Sequence, residues 1–327
     1  MSDELIQYAE ENTILEIRTG SQLYGTNTPE SDEDFVGIFL PPEEYILGLK
    51  NTNEVSLSKI DKDSVGKNTK DAIDRKLYEL RKFVNLSLGS NPNILEILYV
   101  NPENIIKITD IGKELLLLRN IFPSKLCIPA FIGYAHAQKH KMIIKRDHYN
   151  DFINALVYLE RLTDKTTMAE VFNRHIEDIQ EPMYCGRQLF AKKGTGIHIH
   201  VGDICFEPGI YVKKAKKLIQ ERIDRVTNRS ELVTKYGFDT KFGSHLIRLL
   251  LEARDLLSNG QLIFPLKDKD YLLDIKNGKY TAEEVVAHAD EIEKELDSLK
   301  ESTKLPNKPN YKVAEEFVIK TIRKHLL

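Results

Sequence analysis

Residues Gly20-Ser21-Gln22-Leu23-Tyr24-Gly25 and, after a polar turn, Ser31-Asp32-Glu33-Asp34-Phe35-Val36-Gly37 decide how the rest of the chain is read. Upstream, TILEIRT (Thr13–Thr19) alternates as a strand does and stops at Gly20-Ser21, while FVGIFL at 35–40 reads as a second strand ended by Pro41-Pro42. A Gly-Ser pair at a strand end offers backbone N–H groups and a hydroxyl that can cradle a terminal phosphate. Asp32 and Asp34, two apart on entering a strand, project from one face. Carboxylates held this way repel unless a divalent cation bridges them, and hard Mg²⁺ favours such oxygen ligands. A third carboxylate from a neighbouring strand would complete a two-metal site for in-line displacement at phosphorus.

Outward from this stretch, 3–11 reads as a short helix, 51–68 as a polar loop, and 74–78 as a third strand running into a helix to about residue 88. Asn91-Pro92-Asn93 punctuates that helix, and another begins at 94–99. The order predicts an α/β (α+β) module over 1–105. From 110 onward helical periodicity dominates, with candidates at 109–120, 124–145, 147–163, 211–229, 241–258, 281–299 and 312–326. The exception is 185–210, where Gly194-Thr195-Gly196 precedes Ile197-His198-Ile199-His200-Val201, a hairpin-like insert. The expected plan is therefore a catalytic module over 1–105 and a mainly helical domain over 106–327, with the active cleft between them.

With 327 residues the chain can bury a sizeable core, and its composition excludes collagenous and disordered classes. No apolar run approaches a membrane span, and the polar start MSDELIQYAEE carries no secretory signal. Cys127, Cys185 and Cys205 are widely spaced and odd in number, which reads as reduced core residues in a cytoplasmic protein. The net charge is −3, which excludes a histone-like polycation. Yet residues 1–60 hold twelve acids and three bases, whereas 135–260 hold 21 bases and 16 acids. An acidic module beside a basic one suits a site with cations on one wall and a polyanion on the other.

Gly-Ser, a spacer and Asp-x-Asp together resemble the signature of the polymerase-beta-type nucleotidyltransferase superfamily. More narrowly, the chain is similar to the RNA-ligase-associated (RlaP, YcgL-type) nucleotidyltransferases. The likeness runs beyond 20–37 to Leu80-Arg81-Lys82-Phe83, Asn91-Pro92-Asn93-Ile94-Leu95-Glu96 and Gly133-Tyr134-Ala135-His136-Ala137-Gln138. It continues in Tyr236-Gly237-Phe238-Asp239-Thr240-Lys241 and His245-Leu246-Ile247-Arg248-Leu249-Leu250. The resemblance implies a nucleotidyltransferase module with a mixed sheet, in which Gly20 and Ser21 bind the triphosphate and Asp32 and Asp34 ligate two Mg²⁺ ions, with Mn²⁺ as a substitute. The family's third carboxylate precedes by four residues the aromatic that leads the L-R-K-F helix, which here gives Asp74 before Tyr78. Asp71 and Glu79 remain alternatives.

Lys241, His245, Arg248 and Glu252 share one stripe of the 241–258 helix, a wall for a triphosphate or a nucleic acid. Tyr134, His136 and Gln138 suit core, cap or ligand roles alike. His198 and His200 face one way on a strand and could hold Zn²⁺ with Asp203 or Cys205 nearby, although a surface strand is the preferred reading. Basic runs at 139–146 and 213–229 could track a phosphate backbone or form solvated helix faces. The expectation is a Mg²⁺-dependent transferase that moves NMP from an NTP to an acceptor hydroxyl, an RNA (tRNA) end by family association. A protein or small-molecule acceptor, or a binding module without turnover, are the alternatives.

Overall fold

The computed structural model describes residues 3–29, 31–57, 73–180, 189–192, 198–227 and 230–327. The elements before residue 110 are helix α1 (Asp3–Glu11), strand β1 (Thr13–Thr19), a single turn α2 (Ser21–Tyr24), β2 (Glu33–Phe39), α3 (Glu43–Ile46), β3 (Glu54–Ser56), β4 (Ile73–Glu79), α4 (Leu80–Leu88), α5 (Pro92–Leu95) and β5 (Ile105–Ile108). Then come α6 (Asp110–Leu117), α7 (Cys127–Leu159), α8 (Met168–Gln180), β6 (Ala191–Lys192), β7 (Ile199–Val201), β8 (Ile204–Phe206) and α9 (Val212–Thr227). The chain continues through α10 (Ser230–Tyr236), α11 (Thr240–Asn259), α12 (Lys269–Lys276), α13 (Ala282–Ser302) and α14 (Tyr311–His325). The protein is thus α+β, with a sheet in its N-terminal part and helices beyond it.

The first sheet has the strand order β3-β4-β2-β1-β5. It is mixed: β2 and β4 run parallel and every other pair is antiparallel. β1 is an interior strand and almost wholly buried, as TILEIRT requires. On one face, Leu77 and Phe39 pack with Val55 and with Leu5 and Ala9 of α1. That face also holds ion pairs, Arg75 with Glu10 and Glu16, and Arg18 with Glu33 at 3.2 Å. A buried Glu16 tolerates its place in the strand because the Arg75 guanidinium meets both of its oxygens.

The described residues fall into two compact units, 1–138 with 243–327 and 139–242. The boundary expected at 105/106 does not coincide with them. The chain leaves the first unit within α7 and re-enters it within α11, so 106–138 and 243–327 group with the sheet. In the first unit α14 returns to the N-terminus, where His325 reaches Pro41 O at 3.1 Å and Tyr8 at 3.3 Å. The second unit has its own core of Phe152, Phe190, Ile199, Phe206, Val212 and Ile219. It contains the small antiparallel sheet β6-β7-β8 in place of a plain hairpin.

Other expectations shift for local reasons. The helices expected at 124–145 and 147–163 are one helix, α7, because Arg146-Asp147 is polar yet carries no Gly or Pro to break it. β2 begins two residues early, since Glu33 and Asp34 are drawn into the ladder by pairing with β4 and β1. The polar stretch expected as a loop at 51–68 contributes edge strand β3, and the rest of it lies outside the described residues. β5, α8 and α12 were not expected, and 94–99 is a helical turn followed by a 3₁₀ turn at Glu96–Tyr99. Cys127 is buried and Cys205 is exposed, so Cys205 is not a core residue, and Cys185 lies outside the described residues. Among the described residues no helix is long and apolar enough to cross a membrane.

Candidate active site

Three strands present a polar row at one end of the sheet. In register, Thr19 at the end of β1 pairs with Asp34 near the start of β2, and Asp34 pairs with Asp74 near the start of β4. Paired residues share a face, so Thr19, Asp34 and Asp74 stand side by side on the face opposite α1. The rows beneath are Ile17–Val36–Lys76 and then Ile38–Tyr78. Asp74, Lys76 and Tyr78 therefore share one face of β4. Lys76 lies 5.8 Å from the Tyr78 ring centroid and 3.1 Å from Glu54 of β3. With neighbouring strands about 4.8 Å apart, the two in-register carboxylates stand close enough to repel one another.

Gly20 makes the close approach at Asp34 sterically feasible. Its φ of 65° with ψ −142° is a conformation that L side chains rarely adopt, and a Cβ there would overlap the Asp34 carboxylate. The carboxylate lies against the Gly20 backbone, with Ser21 half-buried beside it. Asp32 precedes β2 by one residue and is half-buried, while Asp74 is exposed. Of the alternatives to Asp74, Glu79 falls on the opposite face and caps α4, accepting from Lys82 N at 2.9 Å and pairing with Arg81. Asp71 lies outside the described residues.

Asp34 and Asp74 are hard oxygen donors on adjacent strands, the donor type that suits Mg²⁺. Among the described residues no three His, Cys, Asp or Glu side chains are gathered closely enough to hold a metal ion. The row presents an in-register pair, with Asp32 at its edge. The same holds for the zinc reading: His200 pairs across the sheet with Cys205, and Asp203 is engaged by Arg222.

Beneath the row lies a buried charged cluster that sequence reasoning did not assemble. Glu96, 2% exposed, accepts hydrogen bonds from Thr19 Oγ1 at 3.3 Å, from Tyr24 Oη at 2.9 Å and from Arg248 Nη1 at 2.9 Å. Arg248 Nη1 also meets Glu252 at 2.9 Å, and its guanidinium lies 4.3 Å from the Tyr24 ring centroid. The stripe expected to face a phosphate therefore dives into the core. His245 is exposed, but Arg248 is 4% exposed and Glu252 fully buried, with Arg248 occupied by two carboxylates. Lys241 is exposed at the start of α11 and belongs to the second unit. Helical spacing alone cannot tell a solvent-facing stripe from one that enters the core, although Leu246, Ile247, Leu249 and Leu250 around Arg248 were a signal of burial.

Two carboxylates and one guanidinium leave a surplus negative charge. Burial, outweighing the attraction of Arg248, pushes Glu252 up to about 8. Burial also raises Glu96, opposed by Arg248, Tyr24 and Thr19. Burial raises Tyr24 well above the ordinary phenol range, so it remains a donor.

Three of the blocks quoted from the sequence meet, 91–96 touching 245–250 through Glu96 and Arg248 and 133–138 through Asn91 and Tyr134. Asn91 Nδ2 donates to Tyr134 Oη at 2.8 Å, and His136 meets Glu293 at 3.1 Å. Asp239 accepts from Lys241 N at 3.2 Å and Phe242 N at 3.4 Å, capping α11. The family model described as RlaP, the RNA repair pathway DNA polymerase beta family, matches residues 1–191.

The chain belongs to the RlaP family.

A relative within reach of the same likeness is an uncharacterized 38.9 kDa protein from the nrdC-mobD intergenic region of enterobacteria phage T4. It is 29% identical over 283 residues, covering 82% of this chain and 83% of the relative. No solved structure matches the chain. RlaP membership points to a polymerase-beta-type nucleotidyltransferase in RNA repair. The family match covers the whole polar row, the Gly20–Ser21 turn and Glu96, whereas Arg248 lies beyond it.

Proposed function

We propose that this chain transfers NMP from an NTP to an acceptor hydroxyl, an RNA end and most specifically a tRNA end, with release of pyrophosphate. The observation that carries this reading is the row Thr19–Asp34–Asp74 with Gly20 cleared for the Asp34 carboxylate, in a chain of this family. Ser21 and the backbone N–H groups of the turn bind the triphosphate, and exposed His245, in the same unit, contributes a hydrogen-bonding contact to it. Asp34 and Asp74, the in-register pair, would hold Mg²⁺, or Mn²⁺ in its place, with Asp32 at the edge of their row. Bound there, the metal would supply neutralisation of the phosphate charge and a lowered pKa for the acceptor hydroxyl. Asp74, the exposed member, takes the acceptor proton. The acceptor oxygen forms its bond to the α-phosphorus as the bond to the β-phosphate oxygen breaks, and pyrophosphate leaves.

The test is incubation of the protein with each α-³²P-labelled NTP, Mg²⁺ and total cellular RNA, resolved on a denaturing gel. Label enters a tRNA-sized band, and Asp32→Ala or Asp34→Ala lowers transfer by about 100-fold or more, equivalent to ~2.7 kcal/mol of barrier. Unchanged transfer in both variants overturns the assignment of these carboxylates. One observation favours a different acceptor. In the basic run of α9, Lys216 pairs with Glu160 and Asp164, Lys217 with Glu221, and Arg222 with Asp203, so part of its positive charge is neutralised within the second unit. Release of pyrophosphate without label in RNA directs the search to protein and small-molecule hydroxyls.

A further inference from the structure

The Glu96 carboxylate brackets the Gly20–Ser21 turn. It takes one hydrogen bond from Thr19, the residue before Gly20, and another from Tyr24, the residue that closes α2. Tyr24 N in turn donates to Gly20 O at 3.1 Å, and Thr26 N donates to Ser21 O at 2.9 Å, so the turn closes on itself between those two anchors. Arg248 completes the clamp: it bonds Glu96, lies over the Tyr24 ring, and is held from behind by Glu252. Buried ion clusters of this kind add little net stability compared with apolar residues of the same shape, so their worth lies in the geometry they impose.

We infer that Glu96 and Arg248 are positioning residues that set the Gly20–Ser21 turn for the triphosphate, acting through Thr19 and Tyr24 and touching no substrate. The inference deepens the nucleotidyltransferase reading and rests on it. It places Arg248, a member of the polar stripe of α11, behind the phosphate site and not on its wall. The conformation of the turn, and with it the direction of the Ser21 hydroxyl and the clearance at Asp34, depends on α11 being docked.

The experiment uses the full chain and isothermal titration with each ribonucleoside triphosphate and Mg²⁺. Tyr24→Phe removes one donor to Glu96 without changing shape, and Thr19→Val removes the other. Tyr99→Phe is the control, since its buried hydroxyl has no partner among the described residues. Circular dichroism and melting temperature report folding for each. The expected result is a Kd for Mg·NTP raised about three- to tenfold in Tyr24→Phe and Thr19→Val, the size of one lost hydrogen bond, and unchanged in Tyr99→Phe. Arg248→Met raises it further, and Arg248→Lys restores part of the loss. Wild-type affinity in both Tyr24→Phe and Thr19→Val overturns the inference, because a merely structural cluster moves only the melting temperature. Absence of binding of any NTP by the wild-type chain overturns the underlying reading instead, and the inference with it.

Discussion

At Gly20 the backbone conformation and the position of Asp34 are a single constraint. The positive φ excludes other side chains, and the Asp34 carboxylate occupies the space where a Cβ would lie. Gly20→Ala therefore costs about 1–3 kcal/mol of stability, the range for a side chain in a sparsely populated conformation, and displaces Asp34. Chemical denaturation checks the first effect and NTP titration the second. The juxtaposition was partly legible: Gly-Ser at the end of one strand and Asp-x-Asp at the start of the next do lie side by side, Gly20 against Asp34. The sequence places Asp74 beside Asp34 only through the family resemblance, with Asp71 and Glu79 as alternatives, and the strand register sets Asp34 against Asp74. The role of Glu96 was not, because a Glu inside an apolar run gives no sign of which donors will reach it.

Helix α11 shows how an element changes the meaning of a sequence stripe. His245 reaches solvent, and one turn later Arg248 is sealed between Glu96 and Glu252. Arg248→Met leaves the Glu96 carboxylate buried without its cation, and a loss of about 3–5 kcal/mol is expected in equilibrium unfolding. Glu252 gives a pH signature. Its folded pKa, raised chiefly by burial, is about 8 against 4.5 for an ordinary glutamate, so its contribution to stability is fully present below pH 4.5 and is lost as pH rises through about 8. Glu252→Gln, which mimics the protonated form, becomes more stable relative to wild type across that window. A difference in unfolding free energy that stays flat from pH 5 to pH 9 would refute this. At α13 the reciprocal box of Thr281 and Glu284 caps the first turn, and Thr281→Ala costs about 1 kcal/mol by the same measurement.

Across the whole molecule, the first unit is discontinuous in sequence. Its sheet is contributed by residues before 110, but the cation that neutralises Glu96 and the helix that returns to Tyr8 come from beyond residue 243. A fragment of residues 1–105 is therefore expected to lack a native fold. Its ¹H–¹⁵N spectrum should be poorly dispersed, whereas the full chain gives resolved resonances. A well-dispersed spectrum with retained NTP binding would show the N-terminal module to be autonomous.

Local sequence by itself determined the strand that ends at Gly20–Ser21, the strand entered at Asp32–Asp34, the strand that carries Asp74 and the helical character of the second half. These follow from backbone propensity, period and spacing, which act between residues near one another in the chain. Tertiary structure decided which charges are spent inside. Glu96 and Arg248 are 152 residues apart and share one buried hydrogen bond, and no pattern within either segment encodes that meeting. It is chosen where α11 meets Tyr24 of α2 and the Glu96–Tyr99 turn, because a desolvated carboxylate must find a cation.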